Sequence, residues 1–406
     1  MNNIQTKQKW SWTTGNVAIL SLAVYIATVF VFSANVQLNI LSQAAFILMC
    51  GFSFLYILTK KRAFYINKVT LWLFALLLLS FSSLAWAMNI SFGFDKVITV
   101  AQLIVLCYFA NAVVDTPYKV DFTIKAVIFS GYFMYLYTFA TVGIDGMLGM
   151  FNDDVRLGGQ VNQENTFGYY SAIVFAFALY QMVYKKKRWY FLFLPLPIIM
   201  GLFSGSKKSL LLLALAAFMI IALKDKKKII SRTIFAVIVV GAAGYVLYRL
   251  GALDLVLKRT EEALSGTDVS TNDRKLFIEF GIEKIKEKPI LGYGIEQFAL
   301  LFEQSYGRLE PSHNNYVQIL TSFGIVGFSL WYGAYFYFLF VGVKNFYKND
   351  MGPMLVFIAA ITFVNDLTTT TLINKFTYIL IALCFGMAAM INKQQKRGEE
   401  ASNEDE

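Results

Sequence analysis

Twelve apolar runs of near-bilayer length dominate this 406-residue chain, at 16–34, 38–58, 68–88, 97–114, 122–142, 166–184, 189–203, 209–223, 229–248, 314–343, 352–370 and 376–392. A helix needs about 20 apolar residues to cross the hydrocarbon core, and it satisfies its own backbone polar groups there. The pattern predicts an all-α fold: a polytopic membrane helical bundle of about 12 transmembrane helices. Composition agrees. Only 15% of residues are charged, against about 25% in soluble domains. The 38 Phe and 23 Tyr exceed what one soluble core would bury. The runs 189–203 and 209–223 are the shortest and suggest one long interrupted helix as the alternative. That alternative would put Lys207 and Lys208, in the turn Ser204-Gly205-Ser206-Lys207-Lys208, at mid-membrane, at a cost of about 3 kcal/mol each. Two short spans are therefore expected.

Orientation follows from Lys and Arg placement. With the N-terminus inside, cytoplasmic segments hold Lys60-Lys61-Arg62, Lys119, Lys185 to Arg188, Lys224 with Lys226 to Lys228, Lys344 with Lys348, and Lys393 with Lys396-Arg397. Short outer loops hold Lys96, Arg156, Lys207, Lys208 and Lys375. The organisation expected is a cytoplasmic tail at 1–15, transmembrane helices 1–9 over 16–248, a large outer loop at 249–312, transmembrane helices 10–12 over 313–392, and an acidic cytoplasmic tail at 393–406 that is disordered and solvated. Met1 to Gly15 lacks the small-residue cleavage site of a signal peptide. Much of the net charge of +10 is thus topology signal, and the dispersed basic clusters argue against nucleic acid. Cys50, Cys107 and Cys384 lie in or beside apolar runs with no C-x-x-C pair, so they read as packing residues.

The chemistry is expected outside. The 249–312 loop contains a helix signal: Ser270-Thr271 as cap, Asp273 in the first turn, an apolar stripe of Leu276, Phe277, Phe280, Ile282 and Ile285, and Pro289 beyond its end. It reads as an amphipathic helix at the membrane surface, with Arg274 in its first turn. His313, the single histidine, follows Pro311 and Ser312 and precedes an apolar run. It sits where a helix begins and anions are favoured. Outer basic residues run against the positive-inside trend. Arg156, Lys207, Lys208, Arg274 and His313 are expected to converge as a cationic pocket for a pyrophosphate. The plainer reading pairs each with lipid phosphate or a carboxylate such as Asp153, Asp154 or Glu310, and leaves His313 as a polar residue at a helix start. No His, Cys or carboxylate cluster has metal-ligand spacing, so no metal is expected.

P-I-L-G-Y-G-I-E-Q-F followed by H-N-N-Y-V-Q-I-L-T-S-F-G-I-V-G resembles the signature of the O-antigen ligase and polymerase superfamily. N-D-R-K-L-F, about forty residues before His313, also fits. So does S-G-S-K-K-S-L-L-L, where Lys207 stands in the place of the family's usual Arg. R-L-G-G-Q-V-N-Q-E-N is similar to the family's Arg-Gly-Asn loop. The resemblance covers roughly 150–330. It implies a membrane glycosyltransferase with no cofactor, in the bacterial cytoplasmic membrane, multi-pass with both termini cytoplasmic. Its donor would be a glycan on undecaprenyl pyrophosphate, with the lipid bilayer, a flippase and a chain-length regulator as partners. It implies His313 and Arg274 as catalytic residues, and Arg156, Lys207, Lys208, Asn165 and Asn314 as substrate-binding ones.

Three functions stay open. A polymerase would join repeat units of O-antigen, capsule or exopolysaccharide. A ligase would move finished glycan to a lipid A core or a protein. A transporter or flippase would do no chemistry. G-Y-G-I-E-Q-F and the short outer loops resemble polysaccharide polymerases more. A transporter would carry polar groups at mid-membrane, whereas Asn365, Asp366 and Thr368 to Thr371 fall near an outer end.

Overall fold

The computed structural model describes residues 11–33, 35, 37–60, 67–149, 156–159, 161, 163–249 and 254–404. Asp153 and Asp154, weighed above as partners of the cations, lie outside the described residues. Helices make up the fold, and the described residues contain no strand. In order they are α1 (Thr14–Phe32), α2 (Asn39–Thr59), α3 (Lys68–Ser82), α4 (Ile90–Val113), α5 (Pro117–Gly149), α6 (Glu164–Val183), α7 (Pro195–Phe203), α8 (Lys207–Ala222), α9 (Ile229–Arg249), α10 (Asp254–Leu264), α11 (Val269–Glu287), α12 (Phe298–Tyr306), α13 (Asn315–Lys344), α14 (Met351–Asp366) and α15 (Lys375–Glu404).

Among the described residues, nine helices are long and apolar enough to cross a membrane, and shorter apolar helices cover Arg188–Phe203 and Met351–Asp366. Every one of the twelve apolar runs coincides with a helix. The chain is a polytopic membrane helical bundle. The two short runs are separate helices: α7 opens on Pro195, a residue preorganised for a first turn, and the Ser204–Ser206 turn divides it from α8. Polar residues set many starts. Thr13, Asn67, Asn89 and Asn314 each accept a backbone N–H of the first turn, which satisfies donors the helix itself leaves free.

Burial ranks the helices. In the apolar windows of α6 and α15, 83% of residues are buried, against 6% in α9. So α6 and α15 form the bundle's centre and α9 its rim. Around them α1 packs on α2 and α5, α6 on α8, α13 on α14, and α15 on α4. At one end, α11, α12 and the loop between them form a small folded cap. Its core is Phe277, Phe280, Tyr293, Phe298, Leu301 and Phe302, closed from below by Val317 of α13. A Cβ at Gly281 would sit 2.2 Å from Val317 Cγ1, so a glycine is what lets α11 lie against α13.

The signature stretch forms a clamp. Helix α13 breaks at Gly324, where φ is 60° and ψ −156°. The break releases backbone groups that the 289–294 loop satisfies. Tyr293 N–H donates to Thr321 O at 2.8 Å and Gly294 N–H to Ser322 O at 2.9 Å, while Ile325 N–H donates to Pro289 O at 2.9 Å. A Cβ at Gly324 would lie 2.3 Å from the backbone of Ile290. Gly324→Ala should therefore destabilise by more than the ~1–2 kcal/mol that a left-handed residue costs. Thermal unfolding of the purified protein should show a lowered midpoint, and an unchanged midpoint would mean that the clamp contributes little.

Several expectations need correction. The cap of α11 is Asp268, which accepts from Ser270 N–H at 3.1 Å and Thr271 Oγ1 at 2.6 Å, so Ser270 and Thr271 lie within the first turn. The buried stripe of α11 is Phe277, Phe280 and Gly281, whereas Ile282 is exposed. Lys96 lies inside α4, which begins at Ile90, and its Nζ sits 4.9 Å from the Phe92 ring centroid. The acidic tail is not irregular: α15 stays helical to Glu404, because its Lys, Gln, Glu and Ala residues are good helix formers.

Candidate active site

His313 sits between α12 and α13, beneath the cap. Its φ of 48° is left-handed, one of three such non-glycine residues among those described. Strain of this kind persists where neighbours fix it, and here both neighbours do. Ser312 is buried, and the single proton of its Oγ is shared between two acceptors, Asn314 O at 2.8 Å and Gln318 Oε1 at 2.9 Å. Asn314 caps α13 through Val317 N–H at 3.1 Å and donates from Nδ2 to Leu367 O at 3.2 Å. Both ends of the Asn314 side chain thus hold structure. The imidazole lies 5.8 Å from the Phe277 ring centroid, with Nε2 4.0 Å from Glu310 Oε2 and a third of the side chain exposed. Burial lowers its pKa below the ordinary value, and the Arg274 charge lowers it further. A neutral, half-exposed imidazole is a competent proton acceptor near neutral pH.

Arg274 reaches this place because it shares a face of α11 with Phe277, three residues on. The Phe277 side chain enters the cap's core and its ring flanks His313, so one helix face sets both groups. Arg274 lies within electrostatic range of both His313 and Lys208. Lys208, at the start of α8, donates to Asn365 Oδ1 at 2.9 Å and Thr369 Oγ1 at 2.5 Å. These neutral acceptors orient the amine, and the buried Asp366 carboxyl lies within electrostatic range of it. Three segments distant in sequence thus place Lys208, Arg274 and His313 within electrostatic range of one another.

The remaining predicted residues take other places. Lys207 turns toward the cap, with Nζ 3.7 Å from Asp268 Oδ2, which also caps α11. Arg156 stitches its loop to the turn before α8: Nε donates to Ser204 O at 2.8 Å and Nη2 to Asn165 Oδ1 at 3.1 Å, with Nη1 3.7 Å from Glu164 Oε2. Leu157 N–H also donates to Phe203 O at 2.9 Å. Asn165 therefore serves as an acceptor for Arg156, and the pair lies beside the turn that leads into Lys208.

One buried network escaped the sequence reading. Asp366 takes hydrogen bonds from Tyr332 OH at 2.9 Å, Asn315 Nδ2 at 3.0 Å and Thr371 Oγ1 at 3.0 Å, and Asn315 Oδ1 accepts from Thr371 N–H at 2.8 Å. This ties α13, α14 and the 367–374 turn together directly behind Lys208. The H-N-N doublet was the available signal: its second Asn is fully buried.

A search of curated proteins finds no match to the chain. Residues 192–332 match the family described as O-antigen ligase. That stretch holds Lys208, Arg274, His313 and the Gly324 clamp, while Arg156 and Asn165 precede it. The chain is therefore similar to the O-antigen ligase family over residues 192–332.

Proposed function

We propose that the protein polymerises polysaccharide repeat units carried on undecaprenyl pyrophosphate, at the outer face of a bacterial cytoplasmic membrane. What supports this reading is that Lys208, Arg274 and His313 lie within electrostatic range of one another, with the His313 pKa held below its ordinary value by burial and by Arg274. Arg274 and Lys208, from separate helices, disfavour each other's charge, and a bound pyrophosphate would favour both charged forms; donors fixed in this way stabilise a leaving pyrophosphate with little reorganisation. In the reaction, the acceptor hydroxyl oxygen bonds to the donor's anomeric carbon. The bond from that carbon to the pyrophosphate oxygen breaks. The hydroxyl proton passes to His313 Nε2, and the electron pair leaves on the pyrophosphate, held by Arg274 and Lys208. Arg156 fixes the turn that presents Lys208.

Purified protein in liposomes, given lipid-linked repeat units, should produce a ladder of longer glycans and release undecaprenyl pyrophosphate. The family's description favours a second reading, a ligase that transfers glycan once to a lipid A core or a protein. A single product appearing only with such an acceptor would select the ligase. No transfer to either acceptor would remove both readings.

The outer-face assignment rests on the Lys and Arg asymmetry. In a cysteine-free background, a cysteine replacing Ser265 should react with an impermeant thiol reagent on intact cells, and one replacing Lys187 should react only after permeabilisation. The reverse pattern would place the site in the cytoplasm and end the mechanism above.

A further inference from the structure

Asn315 lies two residues beyond His313 and is fully buried in the first turn of α13. Its amide makes four hydrogen bonds, the full capacity of an Asn side chain. Nδ2 donates to Asp366 Oδ2 at 3.0 Å and to Tyr332 OH at 3.2 Å, and Oδ1 accepts from Thr371 N–H at 2.8 Å and Leu372 N–H at 3.3 Å. One side chain therefore grips both ends of the turn that follows α14. Thr371 Oγ1 closes the same turn on Asp366 Oδ1 at 3.0 Å, and Asn314 Nδ2 ties it at Leu367 O at 3.2 Å. Thr369 sits inside the closed turn, and its Oγ1 accepts from Lys208 Nζ at 2.5 Å. Asn365, one residue before Asp366, supplies the amine's other acceptor at 2.9 Å. The turn needs such anchors. Thr368 to Thr371 are four consecutive threonines, and a β-branched residue favours extended backbone.

We propose that Asn315 is a positioning residue for Lys208, acting through the 366–372 turn and the hydroxyl of Thr369. A lysine carries its charge on a flexible four-carbon stem, so its place in a site depends on what its Nζ donates to. Here one of the two acceptors belongs to a turn that Asn315 holds shut. An amide suits this task because it donates and accepts from the two ends of one rigid plane. The donor end meets the carboxyl where the turn starts, and the acceptor end meets the two N–H groups where it closes. In Asn315→Ala those buried groups lose their partners, and buried polar groups left unpaired are costly. The turn then shifts until they find others, and Thr369 Oγ1 moves with it. One short segment thereby sets two members of the site: Ser312 and Asn314 brace the backbone at His313, and Asn315 braces the turn that orients Lys208.

The inference rests on Lys208 as a cation of the proposed transfer site, but its first test needs no transfer assay. Lys208 Nζ lies 5.9 Å from the Tyr169 ring centroid, close enough for the ring to shift the lysine's ε-methylene signal in NMR. Protein labelled with 13C at the lysine ε-carbon should show that signal, assigned by its loss in Lys208→Arg. Asn315→Ala and Thr369→Val should each displace it beyond its linewidth. Combining them should add little to Thr369→Val alone, because both act on one contact. Thr371→Val keeps the side chain's shape and removes only its bond to Asp366. It should displace the signal less, and it serves if Asn315→Ala does not fold. In the transfer assay, Asn315→Ala should lower kcat by up to about 100-fold, and joining it to Lys208→Ala should cost no more than Lys208→Ala alone. A Lys208 signal unmoved in folded Asn315→Ala, or in Thr371→Val where Asn315→Ala does not fold, would overturn the proposal. Displacements or rate losses that simply add would overturn it too, since Asn315 would then act on something other than Lys208. Displaced signals with no transfer by any form would keep the positioning and end the glycosyltransferase reading instead.

Discussion

His313→Ala should cut turnover by roughly 100- to 10,000-fold, the usual contribution of a positioned general base. Donor affinity should change little, because Arg274 and Lys208 hold the pyrophosphate in the proposed mechanism. If the imidazole instead hydrogen-bonds the donor phosphate, the same variant should weaken donor binding and leave saturated turnover near normal. His313→Gln separates a third case, since Gln keeps a polar side chain at the start of α13 and would suffice for a structural role. The pH profile supplies an independent check. The His313 pKa is lowered by burial and by Arg274, so the neutral form persists below the ordinary value of about 6.5. Transfer should therefore hold through neutral pH and fall only as the pH drops through that lowered pKa. The acid limb should vanish from the residual activity of His313→Ala. Near-normal turnover and donor affinity in both variants would take His313 out of the chemistry.

The parts of this protein that could be read from its sequence are those set by one-dimensional rules. Bilayer thickness fixes helix length, so the twelve apolar runs located the bundle. The lone histidine and the basic residues singled out with it include three, Lys208, Arg274 and His313, that lie within electrostatic range of one another. What could not be read depends on pairing between distant segments. The glycines at 292, 294 and 324 advertise turns, but nothing in their spacing says that the 289–294 loop fills the break in α13. Lys207 and Lys208 are adjacent and alike, yet a helix start turns one toward Asp268 and the other toward Asn365. Asn314, expected among the substrate-binding residues, also caps α13 and is tethered to Leu367, and neither bond could be read from its place in the sequence.

Arg274→Ala should lower kcat by roughly 100- to 1,000-fold, the scale of removing one fixed donor from a developing oxyanion. It also makes a prediction about a different residue. Arg274 lowers the His313 pKa, so its removal should let that pKa rise, within the limit that burial still imposes. The acid limb of any remaining activity should move to higher pH, and the titration of the single histidine by NMR should move with it. Arg274→Lys divides the two effects. An ammonium keeps the charge, so the His313 titration should stay near that of the unsubstituted protein. It loses the planar fork that grips two phosphate oxygens at once, so turnover should recover only in part. Each readout has its own failure. An unmoved His313 titration in Arg274→Ala would mean that the guanidinium does not reach the imidazole. Full activity in Arg274→Ala would mean that it does not hold the pyrophosphate, and the anion site would then rest on Lys208 and the turn anchored by Arg156.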